Sequence, residues 1–282
     1  MKPIFSRQMI YSFERSIQGG YLMFDSHVHT SVSCDSEMLI EDAIKMCKEK
    51  NTGIVITDHM DINPFRGTEF TFNVTEFFSA YERYRSSHVL LGIELGLRVE
   101  AVEENRLIVD NHPFDFILCS THAPYDMETP YEYYDKEYYE GLTKKEAYLE
   151  YLSSMLKGVQ NNPYFDALAH IDYITRYSPY EDTELYYDEF KTEIDHVLKA
   201  VADLDKSLEI STRRIHDKTN QIQLRKIYCR FAELGGQTVT IGSDAHTPNA
   251  IGKDFELALE IAKEAGLEPV YYKKRQRVYM LK

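Results

Sequence analysis

The sequence predicts an α/β fold, a parallel (β/α) barrel of about seven strands. Three observations carry this. Short apolar runs without alternation recur along the chain, as in strands buried on both faces of a parallel sheet. Amphipathic helical segments separate them, giving the alternation of a parallel α/β fold. Side chains that bind metals land repeatedly just past those runs, at the strand ends where (β/α) barrels gather their functional residues. An open doubly wound sheet would draw its site from only a few strands.

The runs are Leu22–Asp25, Gly53–Thr57, Val89–Glu94, Phe116–Ser120, Phe165–His170, Ser207–Ser211 and Thr238–Gly242. In Met38–Lys50 the apolar Leu39, Ile40, Ala43, Ile44, Met46 and Cys47 fall on one side of a helix, with Glu and Lys opposite. Lys144–Val159, Tyr187–Leu204, Gln221–Gly235 and Phe255–Ala265 show the same pattern, and Gly235 and Gly266 stand where helices stop. Tyr125–Tyr151 is dense in tyrosine and acid; it reads equally as a lid over a pocket or as a helix whose tyrosines pack on the barrel.

With 282 residues and 43% hydrophobic content, the chain suits one large domain or two modest ones; the expected organisation is a single barrel domain over residues 23–282, preceded by an extension at 1–22. Residues 1–22 lack the continuous apolar stretch of a signal peptide, and no run reaches the roughly 18 residues of a membrane span. Four scattered cysteines (Cys34, Cys47, Cys119, Cys229) without a C-x-x-C pair argue against a zinc ribbon or a disulfide scaffold, and point to a reducing cytoplasm. A formal net charge of −14 disfavours nucleic acid as a partner. A small phosphorylated substrate remains compatible where bound cations dominate the local field. Nothing in the sequence sets the oligomeric state.

His27 and His29 alternate in F-D-S-H-V-H-T, so on an extended strand end both imidazoles face one way. Asp35, His59, Glu94, His122, His170, Asp244 and His246 extend the set to nine candidate ligands, six histidines and three carboxylates. One zinc ion is satisfied by four ligands, so nine imply more than one metal. Asp25 and Asp172 stand where they could accept from ligand histidines or cap a turn. Arg213 and Arg214 follow S-L-E-I-S, and Arg176 follows His170 in H-I-D-Y-I-T-R; guanidinium forks match phosphate oxygens. His88, His112, His196 and His216 fit no ligand position.

In order, D-S-H-V-H-T, T-D-H, G-I-E, S-T-H, A-H-I-D and G-S-D-A-H-T run from Asp25 to Thr247. Together they resemble the PHP family, named for its polymerase and histidinol phosphatase members. The resemblance implies a distorted seven-stranded barrel holding two to three divalent ions: zinc, manganese or iron. By that resemblance His27, His29, Glu94 and Asp244 hold the first ion. Glu94 bridges to a second, with His122 and His170, and Asp35, His59 and His246 hold a third. Many members carry His where Asp35 stands, and an oxygen ligand there would favour iron or manganese.

The chemistry so implied is phosphomonoester hydrolysis by a hydroxide shared between metals. Asp244, His246 and Glu94 are the candidate catalytic residues, with Asp244 or a metal-bound water as proton source. The T-R-Y and S-T-R-R segments look like substrate-pocket features of the family's histidinol-phosphate phosphatases, so Arg176, Arg213 and Arg214 are expected to bind substrate. L-histidinol phosphate, in histidine biosynthesis, is the leading substrate; a nucleotide or sugar phosphate is the alternative. An amidohydrolase-type barrel also opens with H-x-H but often carries a carbamylated lysine at the fourth strand end, where this chain has Ser120-Thr121-His122.

Overall fold

The computed structural model describes residues 23–126 and 129–280; the expected extension at 1–22, with Leu22, lies outside them. The chain runs through β1 (Met23–Val28), α1 (Ile40–Lys50), β2 (Thr52–Ile56), the two-residue β3 (His59–Met60), α2 (Val74–Tyr81), β4 (Val89–Gly96), α3 (Val102–Asn111), β5 (Phe116–Ser120), α4 (Lys144–Asn161), β6 (Ala167–Leu168), α5 (Lys191–Asp203), β7 (Ser207–Ser211), α6 (Lys218–Glu233), β8 (Thr238–Gly242), α7 (Phe255–Ala265), β9 (Glu268–Lys273) and β10 (Gln276–Tyr279). Its sheet is ordered β1-β2-β4-β5-β6-β7-β8-β9-β10, with β3 paired to the end of β4. All pairs are parallel except the terminal β9–β10 hairpin.

The β1 edge approaches the segment that follows β8. Val28 forms a parallel bridge to Ala245, with His29 N donating to Ala245 O at 2.9 Å and Ala245 N donating to His27 O at 3.2 Å. At the other end β9 pairs with only the first residues of β8, Thr238 and Val239.

Alternation along each strand sorts two apolar regions. One face, with Ile54, Ile56, Leu91, Ile93, Ile117, Cys119, Leu208, Ile210, Val239 and Ile241, packs in the large core with the helices. The other carries Phe24, Val55, Leu90, Phe116, Leu118 and Ala167, closed by Val270, Tyr272 and Met280 from the C-terminal hairpin. Phe24 stacks on Tyr271 at 3.9 Å and Phe116 on Tyr272 at 5.2 Å. Further along that second face polar residues take over: Glu94 and Ser120 are buried in the C-terminal halves of β4 and β5, and Glu209 in the middle of β7.

Helices α4 and α7 begin and end close to their sequence patterns. The C-cap Gly266 lies at φ 72° and Gly235 at φ 105° after α6. Three departures have physical causes. The run Phe165–His170 is a strand only at Ala167–Leu168, because His170 N donates to the Glu209 carboxylate instead of to a strand carbonyl. The β9–β10 hairpin turns through Lys274 (φ 51°) and Arg275 (φ 62°), left-handed positions more often given to Asn-Gly, so no turn signal announced it. The eight-residue α2 is set by Asn73, which accepts from Thr75 N and Glu76 N, and is too short for a periodic signature.

The tyrosine-rich segment is mostly core. Tyr133, Tyr138, Tyr139, Tyr148 and Tyr151 are buried, and the hydroxyls of Tyr133 and Tyr138 both donate to Glu150 Oε2, at 2.8 and 2.7 Å. Thr143 and Glu146 form a capping box that starts α4. No helix among the described residues is long and apolar enough to cross a membrane.

Candidate metal centre

The nine predicted ligands converge at the C-terminal ends of the strands. His27 and His29 come from the end of β1, His59 from β3, Glu94 from β4, His122 and His170 from the segments after β5 and β6, and Asp244 and His246 from the segment after β8. Asp35 reaches in from the loop before α1. The two-residue β3 exists because His59 pairs in register with Glu94. Asp244 holds φ 53°, a left-handed position that costs a non-glycine residue energy and recurs at functional sites.

Glu94 is the hub. Its Oε2 lies 3.2 Å from His27 Nε2, 3.4 Å from His29 Nε2 and 3.0 Å from His59 Nδ1. Its Oε1 lies 3.0 Å from His170 Nε2 and 3.4 Å from His122 Nε2, and accepts from Ser120 Oγ. Asp244 Oδ1 stands 3.3 Å from His29 Nε2 and 3.7 Å from His27 Nε2. Asp35 Oδ2 lies 3.1 Å from His246 Nε2 and 3.5 Å from His59 Nε2. Four trios bring their donor atoms within 4.8 Å of one another: His27, His29 and Asp244; His27, Glu94 and His170; His59, Glu94 and His122; His29, His59 and His246.

Several of these atoms have no hydrogen-bond partner. His27 Nε2, His29 Nε2, His59 Nδ1, His122 Nε2 and Glu94 Oε2 are buried and unsatisfied, although buried polar atoms are almost always paired. Imidazole nitrogens and carboxylate oxygens left unpaired and facing inward are the donor set of a zinc-, manganese- or iron-type ion, so the residues fit such a group.

The electrostatics agree. Burial opposes charge on His27, yet Glu209, Glu94 and Asp244 outweigh it and hold the ring well above the usual imidazole range. Burial also opposes charge on His122, but Asp61 and Glu94 push it up to about 10. Burial would raise Glu94, but His27, His59 and His122 hold it well below the usual carboxylate range. Burial, reinforced by His59 and His246, drops His29 to about 3. Carboxylates that draw protons onto buried imidazoles form a site short of positive charge, and a metal ion competes for the same lone pairs.

Sequence reasoning did not find the groups that hold these rings. His27 Nδ1 lies 2.8 Å from Glu209 Oε1. His122 Nδ1 lies 2.9 Å from Asp61 Oδ1. His29 Nδ1 lies 3.1 Å from Ser33 Oγ, which donates to Asp58 Oδ1 at 2.8 Å. Asp25 and Asp172 hold other groups. Asp25 accepts from Ser243 N (2.9 Å), Ser243 Oγ, Gly252 N (2.8 Å) and the His27 backbone (3.3 Å). Asp172 accepts from Asn220 Nδ2 at 2.9 Å and pairs with Arg214 at 3.5 Å. The only available signal was an acid at alternate positions: Glu209 lies inside an apolar run and Asp61 two residues past His59.

A cavity of about 270 Å³ opens over the centre, lined by Asp35, His59, His122, His170, Asp244 and His246 with Tyr173, Tyr177, Arg176 and Arg213. Arg176 NH1 donates to Asp244 Oδ2, its NH2 to Ser211 Oγ at 3.3 Å, and its guanidinium lies 5.2 Å from the Tyr173 ring centre. Arg213 NH1 lies 3.3 Å from Asp244 Oδ2 and donates to Asp244 O at 3.1 Å. Burial would raise Asp244, but Arg176 above all, then His27, holds it well below the usual range. Arg214 departs from expectation. It is not part of the cavity lining; Glu184 Oε2 at 3.0 Å, Asp172 and Thr175 Oγ1 take its donors. Two buried acids beside it claim the guanidinium that the sequence offered to substrate.

Comparison with known proteins places this geometry among relatives. The chain is 44% identical over 259 residues to a probable histidinol-phosphatase of Clostridium acetobutylicum, covering 92% of this chain and 100% of that protein. It is 32% identical over 251 residues to the histidinol-phosphatase of Lactococcus lactis, covering 86% of this chain and 91% of that one. The crystal structure of histidinol phosphate phosphatase from Lactococcus lactis, complexed with zinc, L-histidinol and phosphate, superposes with a TM-score of 0.83 at 29% identity, over 91% of this chain and 98% of that one. The PHP domain matches residues 25–213, two thirds of the sequence and all of the predicted ligands except Asp244 and His246. On these grounds the chain belongs to the PHP domain family.

Proposed function

We propose that this chain is a metal-dependent phosphomonoesterase that hydrolyses L-histidinol phosphate to L-histidinol and phosphate, serving histidine biosynthesis in the cytoplasm. The observation that carries the reading is the set of buried, unpaired imidazole and carboxylate atoms beneath a cavity that also presents Arg176 and Arg213. The relatives named for this activity, and the zinc, L-histidinol and phosphate in the Lactococcus protein, support the substrate. The bridge from Val28 to Ala245 supports a distorted seven-stranded barrel over residues 23–282.

Two to three divalent ions of zinc, manganese or iron fit the donors. His27, His29, Glu94 and Asp244 would hold one, Glu94 with His122 and His170 a second, and Asp35, His59 and His246 a third. When bound, such ions supply an acidified water as nucleophile and positive charge for the phosphoryl oxygens. The protein's own groups do the rest. Arg176 and Arg213 present guanidinium donors to the phosphoryl group and orient it. Glu94, at the hub, fixes the spacing between the ligand sets. Against its burial, Arg176 and His27 hold Asp244 well below the usual carboxylate range, the charged form a ligand needs. His246 lines the cavity wall beside Arg213, where the phosphoryl group would lie. Tyr173 and Tyr177 line the remaining wall and limit water around it.

The test is phosphate release from L-histidinol phosphate by protein loaded in turn with manganese, zinc and iron, beside nucleoside monophosphates and sugar phosphates. The proposal expects kcat/KM for L-histidinol phosphate at least about 100-fold above the others, as for a site matched to both ends of its substrate. Equal turnover of all esters would leave a broad phosphomonoesterase. No turnover of any by metal-loaded protein would overturn the reading.

A further inference from the structure

Glu209 sits in the middle of β7 and is fully buried. Among the described residues its one ion partner is His27, with no lysine or arginine beside it. Burying a carboxylate costs several kcal/mol unless its oxygens are well satisfied. Both are: Oε1 lies 2.8 Å from His27 Nδ1, and Oε2 accepts from His170 N at 3.0 Å. One carboxylate thus holds two predicted ligands that arrive on different strands.

The sequence keeps space for this pair. A Cβ on Gly242, in the neighbouring β8, would stand 2.2 Å from Glu209 Oε1 and 2.5 Å from His27 Cβ. Any other residue at 242 would displace the carboxylate or the imidazole. Gly96 does the same for the second carboxylate–histidine pair, where an added Cβ would fall 2.0 Å from the Asp61 oxygen beside His122.

We propose that Glu209, acting through His27, is a positioning residue of the metal centre. It accepts a hydrogen bond from Nδ1–H, which leaves Nε2 as the nitrogen free to bind an ion with Glu94 and Asp244, and it anchors the backbone that carries His170. Carboxylate acceptors of this kind fix the ring and raise its basicity. The inference rests on the metal reading above and adds a residue outside the nine ligands. Glutamine fits the space of Glu209 but has one acceptor oxygen for two donors, so Glu209→Gln leaves either His27 Nδ1–H or His170 N–H unpaired.

Two measurements test it. In ¹⁵N-histidine NMR spectra of the zinc-loaded wild-type protein, His27 is expected as the Nδ1–H form with Nε2 coordinated. In chelator competition, Glu209→Gln is expected to bind zinc about 10- to 100-fold more weakly, with its far-UV spectrum retained. Wild-type His27 coordinating through Nδ1 would overturn the inference, whatever the variant does. So would an unchanged zinc affinity in Glu209→Gln, which would reduce Glu209 to a tie between strands. A wild-type protein that binds no zinc, manganese or iron would remove the metal reading itself, and this inference with it.

Discussion

The two ends of one sheet face obey opposite rules. Towards the strand starts, Phe24, Val55, Leu90, Phe116 and Leu118 fill the interior against Val270, Tyr272 and Met280, with no ionisable side chain among them except the Tyr272 phenol. Two or four residues further along β4 and β5 stand Glu94 and Ser120, joined by Glu209 of β7, buried where several imidazole and carboxylate atoms are unpaired. The apolar end needs nothing beyond the chain to be satisfied. The polar end leaves buried imidazole and carboxylate atoms without a partner among the described residues. On this face apolar packing fills one end, and the unpaired polar groups are gathered at the other.

That division can be broken from either side. Asp244→Asn or His170→Ala should cut kcat/KM by about 10³-fold or more, since charge supplied by a held metal is worth several kcal/mol, while circular dichroism stays native. Near-normal turnover in both would remove the polar end from the chemistry. Phe116→Ala, at the apolar end, should cost about 3–5 kcal/mol in urea unfolding, with activity per folded molecule little changed at low temperature. Chelation should act as a stability change confined to the polar end. Metal at 100-fold over its dissociation constant stabilises by about 2.7 kcal/mol, so Tm should fall on metal removal and return on re-addition. The finest test separates two adjacent arginines. Arg213→Ala should raise KM about 10- to 100-fold, from a lost charged hydrogen bond to substrate. Arg214→Ala should leave kcat/KM near wild type and cost about 1–3 kcal/mol of stability, because Glu184 and Asp172 lose their cation.

The same division explains what the sequence could tell. Strands β2, β4, β5, β7 and β8 were legible because burial on both faces makes each a short apolar run, and the convergence of the nine candidate ligands because histidine and acid interrupt those runs at their ends. Glu209 escaped because one acid within S-L-E-I-S looks like half of an alternating strand; only its contact with β1, 182 residues away in sequence, shows its use. The different surroundings of Arg214 were hidden for the converse reason. Adjacent arginines look alike in sequence, and their neighbours in space, Asp244 for one and Glu184 for the other, lie on distant segments. The β9–β10 hairpin stayed hidden because Lys274 and Arg275 make a turn that composition does not mark. Of the tyrosine-rich stretch the packed reading holds for most members, while Tyr134 reaches Arg66 and lies 6.3 Å from Tyr177 at the cavity mouth.

The central claim is that the unsatisfied polar end is a polynuclear metal centre. Its most direct test is elemental analysis of the purified protein after equilibration with trace manganese, zinc and iron and exhaustive dialysis. Two to three tightly held divalent ions per chain, falling when His27 and His29 are both replaced by alanine, is the predicted result. A wild-type chain that retains no ion, or a double variant that retains as many as wild type, would contradict it.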